Sequence, residues 1–225
     1  MVFTHHKDIR VLHEGDEEPR AYFIPYESEK NATRGVREDS PYFKSLCGEW
    51  DFKHFDSEAA IDVDLTDPAL GGAENGFCPI PVPMNWQVKD AKAACEEGFD
   101  PLRLFGDEPK RDVPNYTNIN YPFPCDPPYI PNENPCAVYT RRFFLTEGFA
   151  ARELYLNFEG VDSCFYLFLN GNYVGYSTVS HSTTEFAVSR FLREGENTVT
   201  LLVFKWCSSS YLEDQDMWRF SGIFR

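Results

Sequence analysis

From Tyr42 onward the apolar and polar positions fall into short runs of strand length, separated by clusters of Gly, Pro and Asn. Trp50-Asp-Phe-Lys-His-Phe55 alternates roughly, and Tyr139-Thr-Arg-Arg-Phe-Phe-Leu145 is rich in the aromatic and β-branched residues that suit a pleated surface. Leu154-Tyr-Leu-Asn-Phe158 places Leu154, Leu156 and Phe158 on one face by the two-residue period of a strand. Cys164-Phe-Tyr-Leu-Phe-Leu169, Asn170-Gly171 and Asn172-Tyr-Val-Gly-Tyr176 together predict a β-hairpin, because Asn-Gly tolerates the positive φ values of a two-residue type I′ turn. Thr198-Val-Thr-Leu-Leu-Val-Phe-Lys-Trp206 predicts a long strand, buried on both faces for part of its length and entered through the turn Phe191-Leu-Arg-Glu-Gly-Glu-Asn197.

Helical spacing is scarce; short pieces such as Asp90 to Glu97 are the best candidates. Residues 87–115 read as a loop, with Gly98, Pro101, Gly106 and Pro109 among mixed charges. Residues 121–135 hold Pro122, Pro124, Pro127, Pro128, Pro131 and Pro135, a density that removes the donors a central strand needs. Residues 1–42 carry many charges and no sustained period, which predicts an extended amino-terminal arm packed against something else. Many short strands with frequent turn signals predict an all-β, antiparallel sandwich over residues 43–225. Ser221-Gly-Ile-Phe-Arg225 resumes a strand pattern and stops, so the chain is expected to be a fragment of a longer polypeptide, truncated in its last strand.

A chain of 225 residues accommodates one large domain, or one domain with an arm. With 21 Lys+Arg against 36 Asp+Glu, its charge of -15 argues against a nucleic-acid or anionic-membrane partner and favours a neutral polar ligand or a protein surface. The start, Met1-Val-Phe-Thr-His-His-Lys-Asp-Ile-Arg10, has no apolar stretch of signal-peptide length, so the chain is expected to be cytoplasmic. Its seven cysteines are odd in number and lack a C-x-x-C pair, as expected of reduced thiols, several of them buried.

Candidate chemistry concentrates in Glu213-Asp-Gln-Asp216, where three carboxylates fall within four positions beside Trp218. This pattern suits either a solvated acidic turn or an oxygen-rich site for a hard cation or for sugar hydroxyls. In an extended segment Asp214 and Asp216 would share a face and Glu213 would not. Nothing in the spacing identifies the acid and base of a glycosidase. Asn115-Tyr-Thr-Asn-Ile-Asn-Tyr121 offers amides that either satisfy their own turns or contact a neutral ligand. Trp86 and Trp206 read as core, the five histidines are dispersed or sit in the arm, and no nucleophile elbow, phosphate loop or dinucleotide fingerprint is present.

The stretch Ser210-Tyr-Leu-Glu-Asp-Gln-Asp-Met-Trp-Arg-Phe-Ser-Gly-Ile-Phe-Arg225 closely resembles the large bacterial β-galactosidases of glycoside hydrolase family 2. The resemblance extends back in order through Gly160-Val-Asp-Ser163, Asn170-Gly-Asn-Tyr-Val-Gly-Tyr176, Pro128-Tyr-Ile-Pro-Asn-Glu-Asn-Pro135, Tyr116-Thr-Asn-Ile-Asn-Tyr-Pro122, Val82-Pro-Met-Asn-Trp-Gln87 and Ser45-Leu-Cys-Gly-Glu-Trp50. It implies a jelly-roll sugar-binding domain over 43–225 with an arm over 1–42, belonging to an enzyme that hydrolyses terminal β-D-galactosides. By the same resemblance Asp216 corresponds to a carboxylate that binds galactosyl hydroxyls and ligates sodium, and Asn118 to an amide that contacts the sugar. The catalytic glutamates and magnesium ligands would lie beyond Arg225, so the chain alone is expected to be inactive. The full-length protein is expected to be a homo-oligomer in which the arm contributes to subunit contacts. The segment between Gln87 and Asn115 is much longer than in the best-known member, at a place where it would border the pocket. The alternatives to a domain of an enzyme are a self-sufficient carbohydrate-binding module and a purely structural assembly element.

Overall fold

The computed structural model describes residues 3–88, 112–117, 121–213 and 216–225. The helix expected at Asp90 to Glu97 and the sugar-contacting Asn118 lie outside these residues. In chain order the elements are β1 (His13–Glu14), α1 (Glu29–Arg34), β2 (Gly48–Phe55), β3 (Cys78–Val82), β4 (Asn115–Thr117), β5 (Cys136–Leu145) and α2 (Glu147–Ala150). They continue with β6 (Tyr155–Phe158), β7 (Val161–Asp162), β8 (Cys164–Leu169), β9 (Asn172–Ser177), β10 (Thr184–Ala187) and β11 (Gly195–Phe204). The last three are α3 (Ser210–Glu213), β12 (Met217–Arg219) and β13 (Gly222–Ile223).

The architecture is an all-β jelly-roll sandwich built on one antiparallel sheet with strand order β1-β9-β8-β11-β5-β2-β3. Alternation along its central strands divides the side chains between two cores. Phe165, Leu167 and Leu169 of β8 join Val199, Leu201 and Val203 of β11 on one face, packing with Phe158 of β6 and Phe186 of β10. Cys164, Tyr166 and Phe168 join Leu202 and Phe204 on the other face, against Phe3, Leu65, Leu70 and Phe77. Both faces are therefore covered, which is why β8 and β11 read as continuous apolar runs instead of alternating ones. Within the β8–β9 hairpin, Asn170 and Gly171 take φ values of 49° and 78°, the pair of positive angles that an Asn-Gly turn supplies.

The arm is more ordered than its composition predicts. Phe3 meets Tyr166 edge-on at 4.8 Å, and His6, fully buried, stacks on Phe204 at 4.0 Å with its Nδ1 3.0 Å from the Tyr166 hydroxyl. β1 then extends the main sheet, pairing Glu14 with Tyr176. Gly175 permits this approach, because a Cβ there would come within 2.0 Å of the Glu14 carbonyl oxygen. Further along, α1 is a short helix capped by the Ser28 hydroxyl, which accepts from the Asn31 amide, and closed by Gly35 at φ 66°. Local capping and contact with the sheet thus impose order on a segment without hydrophobic period.

The Pro-rich stretch up to Pro135 stays out of the sheet, and β5 begins at Cys136, three residues before the run that announced it. Cys136, Ala137 and Val138 are fully buried between β2 and β11, so tertiary pairing carries the strand back through Ala137, a poor strand former, to Cys136.

Candidate functional site

Ser210–Glu213, which carries the first carboxylate of the acidic cluster, is helical, and Asp216 takes φ 63°. Asp214 lies outside the described residues; Asp216 is exposed at the entrance to β12, and Glu213 turns inward.

The ribbon of β4 and β12 pairs Thr117 with Met217, Tyr116 with Trp218 and Asn115 with Arg219. Tyr116 and Trp218 stand on its outer face, 51% and 52% exposed, with ring centroids 5.6 Å apart. Thr117 and Arg219 point inward and are buried. The Tyr116 hydroxyl donates to Oδ1 of Asp216, so the strand opposite holds the carboxylate from the solvent side. Such a carboxylate, fixed among exposed aromatic rings, can accept hydrogen bonds from adjacent hydroxyls of a neutral ligand.

On the inner side, Arg219 is 1% exposed. Its Nη2 donates to the Ser210 carbonyl at 3.0 Å, and its Nη1 lies 3.7 Å from Oε2 of Glu213. The Ser180 hydroxyl donates to that same oxygen at 3.3 Å. Burial, reinforced by the Asp162 charge and opposed by Arg219, raises the pKa of Glu213. Asp162 is itself buried on β7 and pushed up to about 6, chiefly by burial, with the Ser163 hydroxyl and Arg219 pulling the other way.

The carboxylate of Asp112, just ahead of β4, accepts on Oδ2 from Trp86 Nε1 at 2.8 Å and from Gln87 Nε2 at 2.7 Å. Its Oδ1 is paired with the ammonium of Lys205, which also donates to the Val113 carbonyl at 2.8 Å. Lys205 and Asp112 side chains are 3% and 7% exposed. This buried hub sits between the expected core residue Trp86 and the strand that carries Tyr116. Asp112 was not singled out by the sequence; the only signal was a lone Asp two residues before Pro114, at the edge of a charged segment.

Among the described residues no group of three or more His, Cys, Asp or Glu side chains is arranged to hold a metal ion, and no helix is long and apolar enough to cross a membrane. For a hard monovalent cation, which takes oxygen ligands, the described site offers the exposed Asp216 carboxylate as one ligand of a larger set.

Residues 43–225 match a family model described as "Glycosyl hydrolases family 2, sugar binding domain". Curated relatives include a beta-galactosidase of Actinobacillus pleuropneumoniae, 44% identical over 219 residues that make up 97% of this chain and 19% of the relative. Another, a beta-galactosidase of Staphylococcus xylosus, is 36% identical over 222 residues, 98% of this chain and 20% of the relative. The chain thus spans about a fifth of the length of these relatives. Among solved structures, an uncultured Clostridium sp. beta-glucuronidase is similar with a TM-score of 0.53 and 18% identity over 80% of this chain and 27% of that one. A Bacteroides uniformis beta-glucuronidase gives 0.52 and 16% over 81% and 17%. At such identities these structures bear on the fold alone.

Proposed function

Because this chain belongs to the glycosyl hydrolase family 2 sugar-binding domain family, we propose that it is the sugar-binding part of a β-galactosidase and lends Asp216 to the pocket that holds the galactosyl group. The observation that carries this reading is the carboxylate itself, exposed at the end of β12, oriented by the Tyr116 hydroxyl and backed by a buried guanidinium. The same reading assigns the amide contact to Asn118, which directly follows Thr117 in the chain.

In this mechanism the chain recognises and orients the sugar, and does not move the proton at the glycosidic bond. Asp216 Oδ1 is committed to Tyr116, and the carboxylate receives hydrogen bonds from galactosyl hydroxyls. Hydrogen bonds to a charged acceptor contribute about 1.5–3 kcal/mol when desolvated and less at an exposed site. Contacts that tighten as the ring distorts would raise turnover as well as affinity. A sodium ion held by Asp216 and by oxygens outside the described residues would add a fixed positive charge that orients a sugar hydroxyl. Magnesium and the acid–base carboxylates would belong to the rest of the enzyme. The six described cysteines are thiols, which supports a reducing, cytoplasmic compartment. The reading also includes a homo-oligomeric full-length protein.

The test is titration of methyl β-D-galactoside into the chain in sodium and in potassium buffer, for the native sequence and Asp216→Asn. Binding that weakens at least tenfold in the variant and is stronger in sodium supports the reading; equal affinities for the two proteins would overturn it.

A further inference from the structure

We propose that Arg219 is the positioning residue of Asp216, tying β12, which follows that carboxylate, to α3, which precedes it, from the buried side. The inference rests on the sugar-binding reading for its functional meaning and on the geometry alone for its structural content.

α3 ends at Glu213, β12 begins at Met217, and Asp216, the residue just ahead of β12, takes a positive φ. A non-glycine residue in that region persists only where its surroundings impose it. On the outer side the constraint is the Tyr116 hydroxyl. On the inner side the guanidinium of Arg219 reaches nine residues back to the Ser210 carbonyl at 3.0 Å and faces Glu213 Oε2 at 3.7 Å. It therefore touches both the first and the last residue of α3 while its own backbone belongs to β12. α3 is in turn fixed to the sandwich, the Ser180 hydroxyl donating to Glu213 Oε2 at 3.3 Å and the Thr178 and Ser209 hydroxyls sharing a hydrogen bond of 2.7 Å just ahead of the helix.

A buried guanidinium is costly to desolvate, and an apolar side chain of similar volume would fill the same space at less cost. What the arginine adds is direction. Its planar fork addresses a carbonyl and a carboxylate at once, and a lysine in its place would present a single point charge. Among the described residues, Asp162 of β7, Glu213 of α3 and the Ser210 carbonyl favour a cation at that spot, and Arg219 in turn disfavours protonation of His181.

The experiment compares Arg219→Met, Arg219→Lys and Glu213→Gln with the native chain. The first readout is the amide order parameter at Asp216 from nitrogen-15 relaxation. It should fall from the rigid value of about 0.85 to below about 0.6 in Arg219→Met, with β8 and β11 unchanged, and recover partly in Arg219→Lys. The second is titration with methyl β-D-galactoside, expected to weaken at least fivefold in Arg219→Met and to show no further loss when that change is added to Asp216→Asn. A lowered Tm with the Asp216 amide still rigid, or an equal further loss in the Asp216→Asn background, would overturn the positioning role. If Asp216→Asn alone binds like the native chain, the sugar reading fails, and the order parameter still decides the role of Arg219. Should Arg219→Met not fold, Glu213→Gln, which keeps the shape and removes the charge, must loosen Asp216 in the same direction; an unchanged order parameter there overturns the proposal.

Discussion

The hydroxyl of Tyr116 and the carboxylate of Asp216 meet although 100 positions separate them in the chain. The contact exists because β4 pairs with β12 in a register that sets Tyr116 opposite Trp218 and lets the tyrosine reach diagonally to Asp216, two residues before Trp218. Residues that are remote in sequence are thereby made into one exposed surface, and the register of a three-residue ribbon decides the orientation of the carboxylate.

Replacing Tyr116 by Phe removes that donor and keeps the cross-strand ring contact with Trp218. Because the hydrogen bond is solvent-exposed, the expected loss is about 1 kcal/mol, or roughly fivefold in affinity for methyl β-D-galactoside. Tm should move by no more than about 2 °C, since no core contact is touched. A fivefold loss that persists when Asp216 is already Asn would mean that Tyr116 contacts the ligand itself.

The Lys205–Asp112 pair makes a sharper energetic prediction. Burial lowers the pKa of Lys205 and the Asp112 carboxylate pulls it back up, the balance expected of a desolvated ammonium with one close partner. Lys205→Met alone leaves a buried carboxylate facing the neutral Trp86 and Gln87 donors without its ammonium partner, and should destabilise the fold by about 3–5 kcal/mol. Adding Asp112→Asn to Lys205→Met should recover most of that loss, because the amide oxygen still accepts from those donors. Urea unfolding of the two single variants and the double variant measures the coupling.

The jelly roll was legible because its strongest signals are local. Asn170-Gly171 needs only its own backbone angles to announce a hairpin, and β11 announces itself by the apolar run that starts at Thr198, buried throughout to Phe204. The resemblance pointed to Asp216, which the structure places on the surface at a ribbon end, but its partners were beyond sequence reasoning. Arg219, Glu213 and Asp162 sit within one buried polar cluster through β7, α3 and β12, and nothing in the spacing of these residues encodes their meeting. The arm was expected to pack against something, but not which of its residues would do so. His6 is one of two adjacent histidines, and only the sheet face it covers explains why it is the buried one.

That burial makes the arm sensitive to acid. His6 is held down to about 3, first by burial and then by the charges of Lys7 and His5, whereas a released arm would titrate near 6.5. Released chain therefore binds more protons below pH 6.5, and attachment weakens as pH falls from there toward 3, by about 3 kcal/mol at pH 4.5. Limited proteolysis within residues 3–14 should accelerate steeply between pH 6.5 and 4.5, and His6→Gln should flatten that dependence. An unchanged rate across this range would show that the ring is protonated in place.

Asp162 predicts the opposite slope for global stability. Its carboxyl is pushed up to about 6 from an ordinary 3.8, so the folded state binds the extra proton between those values and stability falls as pH rises through that window. The two-unit shift corresponds to about 3 kcal/mol lost by pH 7. The Ser163 hydroxyl lies 2.6 Å from Asp162 Oδ1 and 2.7 Å from the Lys205 carbonyl, and its single proton can serve only one of them. With Asp162 neutral, the carboxyl donates to Ser163 and Ser163 donates to the carbonyl, so every group is satisfied. Asp162→Asn keeps that shape and a donor without the charge. The variant should match the native chain at pH 4.5 and exceed it by about 1–2 kcal/mol at pH 7.5, the gain being reduced by the lost attraction to Arg219 and Lys205. Urea titrations at the two pH values measure this difference. A variant less stable than the native chain at pH 7.5 would establish Asp162 as the charged counterion of Arg219 instead.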